Sequence, residues 1–530
     1  NMGTVLPFHS NGMERQHRPH VPPPDASYPD STTPTFICYN TYNYHSQHKL
    51  PQRGIPMKTA AIITEYNPFH NGHAYQLSEV RKRSGADFLI IIMSGDYVQR
   101  GTPAILDKYV RTEAALLNGA DLVLELPLPF ATGSAQRFAG GAVSVLDGLG
   151  IVDELWFGSE EGDLKLFSDL TEILLREPES FQGYLKDALR AGLSYPAARS
   201  AALSAYASEQ KELNSACINV REFLKKPNNI LGLEYVLALK KRNSSIQPCT
   251  LKRSGSGYHE EQITAALSSA TAIRASLTAG DLASIGTAVP ENCLSLYTKK
   301  ASAGALITEN DLSEALRYQL WKESADSLLR IMDVNEDLAN RILNLRPRFR
   351  DFSSFVELLQ TRNQTRTAMQ RALLHILLGI TQDAVDLLPE QESTMEHIVH
   401  LPASGDNREH TVHLPASGDN REHIEHLPVQ ESTMGHTDLP AKDSTTDSRS
   451  SGNRQRLIRI LGLSKDARSG CLLSGIPKDG PIAITANPGT HPLKEQYEQD
   501  RIASEYYQSL VTAKNGEAFI PEYSRKLIVI

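Results

Sequence analysis

The chain is poor in cysteine and poorer in tryptophan, with five Cys and two Trp among 530 residues. Cys38, Cys217, Cys249, Cys293 and Cys471 are scattered, with no C-x-x-C pair and no histidine at metal-finger spacing. That excludes a disulfide-stapled scaffold and a zinc ribbon, so no metal site is expected and free thiols in a reducing cytoplasm are the simplest reading. Long apolar runs are missing too. The most apolar stretch, FLIIIM at Phe88 to Met93, is far shorter than the ~20 residues a spanning helix needs, so no membrane partner is expected. Nor is there an excess of positive charge. A formal net charge of -8 excludes a wholly basic nucleic-acid binder but leaves room for a basic face on one part of the chain.

What the chain does have is length and pattern. A chain of 530 residues is too long for one core, and two or three domains are expected. Residues 1–56, rich in Pro, His, Asn and Tyr without sustained periodicity, read as a disordered N-terminal extension without the charged head and apolar core of a signal peptide. Met57 stands directly before a strand-like run, and the natural start of translation is expected there. From Lys58 short apolar runs alternate with amphipathic stretches, which predicts an α/β domain over 57–294, built on a parallel sheet with crossover helices. Strands are expected at Thr59–Ile63, Phe88–Met93, Leu122–Leu126 and Glu154–Phe157, and a fifth at Ile246–Arg253. A helix through DKYVRTEAALLNGA should stop at Gly119, and residues 163–225 form a helical insertion.

Residues 295–388 read as a helical block. Beyond it, VHLPASGDNREH occurs at Val399–His410 and again at Val412–His423, and QESTM occurs at Gln391 and Gln430. So polar a duplication, over 389–453, is a low-complexity insert and not a stacking repeat. Its histidines also permit a metal reading. A smaller C-terminal unit follows over 454–530.

The chemistry sits in EYNPFHNGHAYQL, Glu65 to Leu77, directly after the first strand. Ligands of a doubly wound sheet settle at such strand-to-helix junctions. Pro68 ends the strand, Gly72 lets backbone approach a ligand, and His73 falls in a first helical turn whose free amides attract phosphate. Two imidazoles beside those amides suit a phosphate whose charge grows during reaction. Half of a zinc site and a helix cap with incidental histidines are the competing readings. A second segment, SSATAIR at Ser268 to Arg274, offers the hydroxyls of Ser269 and Thr271 and the guanidinium of Arg274 to β- and γ-phosphates, or else a plain Ser/Thr helix cap.

HNGH resembles the H-x-G-H signature of the nucleotidyltransferases that share the HIGH motif with class I aminoacyl-tRNA synthetases. With ITEYNPFHNGH, MSGDYVQRG, FGSEEGD, KPNNILG and SGYHE ahead of SATAIR, the order of motifs from Met57 to Leu388 resembles the bacterial tRNA(Met) cytidine acetate ligase family. The resemblance implies a Rossmann-like nucleotidyltransferase domain. It also implies a reaction: acetate and ATP, with Mg2+, give acetyl-adenylate and pyrophosphate, and the acetyl group then passes to N4 of the wobble cytidine of elongator tRNA(Met). Carried over onto this chain, ATP would lie along Ile63, Thr64, Glu65, Tyr66, Asn67, Pro68, Phe69, His70, Asn71, Gly72, His73, Ala74, Tyr75 and Gln76, with Gly158, Asn228, Arg253, Ser269 and Thr271 completing its site. His70, His73 and Arg274 would be catalytic. Each of Gly158, Asn228 and Arg253 also has a plain reading, as a turn, a helix cap and a surface charge.

In the helical block, RPRFRDF and the arginines Arg362, Arg366 and Arg371 form a basic face beside Phe349 and Phe352, suited to phosphate contact and base stacking, or to solvation alone. No protein partner is evident. An adenylyltransferase acting on a small phosphorylated substrate, and a tRNA-binding protein with a vestigial nucleotide site, are the rival readings.

Overall fold

The computed structural model describes residues 57–210, 220–253, 269–361, 364–385, 455–465 and 467–530, of which 385 and 467–470 are described by backbone alone. The N-terminal extension, the repeat insert, the SGYHE motif, Ser268 and Arg362 lie outside the described residues.

The apolar runs become strands: β1 (Thr59–Thr64), β2 (Phe88–Ser94), a short hairpin of β3 (Tyr97–Val98) and β4 (Thr102–Pro103), then β5 (Leu122–Leu126), β6 (Glu154–Ser159) and β7 (Gln247–Lys252). Pairing β5-β2-β1-β6-β7 is parallel throughout. That is the 3-2-1-4-5 order of a Rossmann sheet, and the order reverses between β1 and β6. FLIIIMS in β2 is buried at every residue, as a central parallel strand with helices on both faces must be. Phe88, Ile90 and Ile92 join one core, Leu89, Ile91 and Met93 the other.

Three crossover helices come first: α1 (Asn71–Ser84), α2 (Lys108–Leu117) and α3 (Ala135–Leu149). α1 closes on Gly85 at φ +63, where a side chain would be strained. α2 stops two residues short of the expected Gly119. Its cap is Asn118, whose amide tightens back onto Ala115 O at 3.2 Å while its side chain bonds Ala114 O at 2.7 Å. The insertion folds as α4 (Leu164–Arg176), α5 (Glu179–Arg190) and α6 (Tyr195–Glu209), and α7 (Pro227–Lys241) leads back to β7.

After β7 the described elements are helical: α8 (Ala270–Ala279), α9 (Glu291–Ser302), α10 (Ser313–Lys322), α11 (Glu336–Leu345), α12 (Phe352–Leu359) and α13 (Arg366–Leu378). α9 starts ahead of residue 295 and puts Cys293 and Tyr297 into the sheet's own core. α10 to α13 enclose a separate core around Leu316, Ile342, Phe355 and Leu373.

The segment from 454 onward supplies strands to the main sheet. β8 (Arg456–Leu463) lies antiparallel to β5, and β9 (Ile482–Thr485) and β10 (Ile528–Val529) pair with β8 in parallel. Between β9 and β10 runs α14 (Glu498–Asn515). This antiparallel return had no signal in the sequence, because RLIRILGL is as apolar as any parallel strand.

Candidate active site

β1 delivers the first motif to the carboxyl edge of the sheet. Tyr66 follows it at φ +47, a left-handed conformation that costs a non-glycine residue energy and marks functional loops. The turn sets His70 at the N-cap of α1. His70 Nδ1 accepts the Gly72 amide at 3.0 Å, and His73 Nδ1 accepts the His70 amide at 3.3 Å. Two imidazoles thus form a reciprocal capping box of the kind usually built from Ser or Thr with Glu or Gln. Their rings stack with centroids 3.8 Å apart, and Tyr66 packs 4.8 Å from His73.

The capping box fixes the protons. With both Nδ1 atoms accepting, each neutral ring carries its hydrogen on Nε2. Burial, with Arg253 and Arg274 adding to it, lowers the His70 pKa to about 3, and burial, His70 and Arg253 hold His73 well below the usual value. Both rings are therefore uncharged donors at neutral pH. The glycine between them has a steric reason: a Cβ at Gly72 would lie 2.8 Å from His70 Cε1. Backbone approach to a ligand, expected from the sequence, is not the only demand on that position.

The second motif meets the first. Arg274 on α8 donates to Asn67 O at 2.7 Å and to Thr271 Oγ1 at 3.1 Å. Burial, then Arg100, lowers its pKa to about 10, so it stays charged at neutral pH. Ser269 caps α8, its Oγ accepting the Ala272 amide at 3.1 Å, which is the plain cap reading realised in structure. Arg253 leaves the end of β7, its amide bonded to Ser159 O at 2.8 Å, and its side chain passes Gly158, where a Cβ would lie 3.4 Å from Arg253 Cγ. Burial lowers the Arg253 pKa, and Glu160 opposes that. Asn228 sits in the first turn of α7 with its Nδ2 on Glu160 Oε1 at 2.7 Å, so it shares this edge of the sheet but faces a carboxylate.

Elsewhere in the first strip, Ile63, Tyr66, Pro68 and Phe69 are buried and shape the turn, and Asn67 Oδ1 holds the Ile105 amide at 2.9 Å. Thr64, Glu65, Asn71, Ala74 and Gln76 are half-buried, Glu65 taking the Gln99 amide at 2.9 Å and Asn71 bonding Ala288 O and Thr287 O. Tyr75 points outward at 46% exposure. Sequence reasoning missed Arg111. Fully buried on α2, it donates to Glu65 O, Ser94 O, Gly95 O and Leu106 O, and so ties the ends of β1 and β2 together. A buried arginine with carbonyl partners leaves no trace in local pattern.

The basic face on α13 is not laid out as its spacing suggested. Arg366 is exposed and pairs with Glu357 at 3.2 Å, whereas Arg371 donates to Asp333 at 3.0 Å and is largely buried. Five residues turn a helix through about 140°, which separates the two side chains. Phe352 is fully buried in the helical core and Phe349 only partly.

Comparison with known proteins then bears on the site. The model of the HIGH Nucleotidyl Transferase family matches residues 57–414. A tRNA(Met) cytidine acetate ligase of Acetivibrio thermocellus is 41% identical over 342 residues, which are 64% of this chain and 81% of that protein. The chain belongs to the tRNA(Met) cytidine acetate ligase family. Another relative of that name, from Halothermothrix orenii, is 37% identical over 336 residues, covering 63% of this chain and 80% of that one. The crystal structure of Thermotoga maritima TmcAL bound with alpha-thio ATP superposes with a TM-score of 0.68 at 26% identity, covering 89% of this chain and all of that one. In this member of the tRNA(Met) cytidine acetate ligase family, the junction that gathers His70, His73, Arg253 and Arg274 lies beside the reversal between β1 and β6, where a Rossmann sheet takes its nucleotide.

Proposed function

We infer that this chain is an ATP-dependent tRNA(Met) cytidine acetate ligase, acting in the cytoplasm on elongator tRNA(Met). The observation that carries the reading is the convergence of two neutral Nε2–H imidazoles and two guanidiniums, Arg274 half-buried and Arg253 open to solvent, at one strand-to-helix junction. An acetate oxygen attacks the α-phosphate in line, the bond to the bridging oxygen breaks, and pyrophosphate leaves. His70 and His73 donate to the phosphates as charge builds, and Arg253 and Arg274 neutralise it. The cytidine N4 amine then attacks the acetyl carbonyl; the carbon–oxygen bond to AMP breaks and N4 gives up a proton.

ATP would lie along Ile63 to Gln76 with Gly158, Asn228, Arg253, Ser269 and Thr271 around it. Mg2+ would enter on the triphosphate. The site's side chains are mainly donors, so phosphate oxygens would be its main ligands, where it would screen their charge. Among the basic residues of α13, Arg366 stays open to RNA, and Arg371 supports the fold through Asp333. On this reading the chain divides into a nucleotidyltransferase domain over 57–294, a helical tRNA-binding domain over 295–388, an insert over 389–453 and a C-terminal unit over 454–530 whose strands extend the main sheet.

Labelled acetate, ATP, magnesium and bulk tRNA test the reading. N4-acetylcytidine should appear in the RNA only when ATP is present. An AMP-linked small molecule with unlabelled RNA would support the adenylyltransferase instead. His73→Ala should abolish acetate-dependent exchange of pyrophosphate into ATP and leave tRNA affinity nearly unchanged; full exchange by that variant would refute the phosphate role.

A further inference from the structure

The helical block buries Phe352 and Phe355 in its core, yet on α10 Tyr318 is 69% and Trp321 55% exposed. Three residues apart, they sit on one face a turn from each other. Each ring has a cation: Lys322 Nζ lies 5.6 Å from the Tyr318 centroid and the Arg346 guanidinium 4.7 Å from that of Trp321. Arg346 also donates to Leu320 O and Glu323 O at 3.0 Å, which fixes it and so steadies the indole. Alongside, Arg317 covers Phe349 at 5.5 Å. Arg348 and Arg350 are exposed, form no ion pair with a described residue, and border a groove completed by Phe349, Ser354 and Leu358.

The face starts near the active site. Ahead of α10 the Ile307 amide donates to Ile105 O at 3.2 Å, and the Ile105 amide is itself held by Asn67 Oδ1 at 2.9 Å; from Ser313 to Trp321 the helix rises roughly 12 Å. Exposed rings with cations over their faces, next to exposed arginines, make a stacking platform with phosphate contacts, the pairing that unpaired RNA requires. We propose that α10 and the Arg346–Arg350 loop bind unpaired nucleotides of the tRNA close to the modified cytidine, with bases on Tyr318 and Trp321 and phosphates on Arg348 and Arg350. The proposal rests on the ligase reading above and deepens it.

The test separates the two. The full chain is compared with Tyr318→Ala/Trp321→Ala and with Arg348→Ala/Arg350→Ala. Three measurements are made: acetate-dependent exchange without RNA, KM for tRNA in acetyl transfer, and quenching of tryptophan emission on adding tRNA. Trp321 is the exposed one of the two tryptophans, Trp156 being buried. The aromatic variant should raise KM at least ~10-fold and keep its exchange rate. The arginine variant should flatten the slope of log affinity against log salt by roughly 1.4. Wild type should lose emission on binding tRNA, and Trp321→Phe should not, while keeping most of its affinity. Unchanged KM, salt slope and emission would overturn the platform, including the case in which the face serves a protein. Quenching by tRNA without any acetyl transfer would uphold the platform and overturn the ligase reading alone.

Discussion

His70 caps its helix with the same ring that we propose donates to the phosphates, so on that reading one side chain couples folding of α1 to the chemistry. Its Nδ1 holds the Gly72 amide, and its pKa near 3 leaves no charge to titrate in the working range. Gly72→Ala tests the coupling, because the added methyl meets the ring at 2.8 Å. The variant should lose about 10- to 100-fold in acetate-dependent exchange, as a 1 Å displacement of a catalytic group would give. Its melting temperature should fall by only a few degrees, as loss of a cap costs about 1 kcal/mol. Equal exchange by both proteins would show that the ring need not stay where it is. The placement of His70, His73 and Arg274 was legible in the motifs. The tautomer was not, since it depends on which backbone amide each ring accepts.

At the scale of elements, the β3–β4 hairpin is where the helical block meets the sheet. Gly101, at φ +76, passes so close to α13 that a Cβ would lie 2.3 Å from the Arg371 amide nitrogen. Asp333 reinforces the contact, taking Arg137 of α3 at 2.9 Å and Arg371 of α13 at 3.0 Å. Burial pushes its carboxyl up, but His375 at 3.7 Å, then Arg371 and Arg137, hold it below the usual range. Gly101→Ala should therefore part the hairpin from α13, lowering stability by about 2–3 kcal/mol in a denaturant titration. It should also raise KM for tRNA more than KM for ATP. Strand and helix positions were readable here because apolar runs such as FLIIIM have few alternatives. The packing of hairpin on helix was not, because GDYVQRG has the composition of any loop and Arg371 that of any solvated base.

Across the whole molecule, a buried ionic cluster joins the last segment to α2 and β5. Lys108, without exposed surface, contacts Glu125 at 2.7 Å, Glu522 at 2.5 Å and the Tyr497 hydroxyl at 3.1 Å, and Arg459 binds the same Glu522. Removing one partner strands charges in a dry interior, so Lys108→Met should cost about 3–5 kcal/mol by urea unfolding. Asp500, beside this cluster, has its pKa raised to about 7 by burial and then by Glu125. Between the ordinary value near 3.8 and that value the folded state holds the extra proton, so this group's contribution to stability falls as pH rises. The lead of Asp500→Asn over wild type in melting temperature should widen by a few degrees from pH 4 to pH 7 and stay level above that; a lead that narrowed over this range would contradict the sign.

The return of β8 to β5 also sets a schedule for synthesis. β5 ends at Leu126 and β8 starts at Arg456, with 329 residues between them. At about 5–20 residues per second, the outer edge of β5 waits roughly 15–65 s on the ribosome for its partner. During that interval an apolar, fully buried strand of the finished protein shows open backbone donors and acceptors to other nascent chains. Expression yield of this chain is thus expected to depend on what shields that edge in the cell, a demand that the finished enzyme no longer makes.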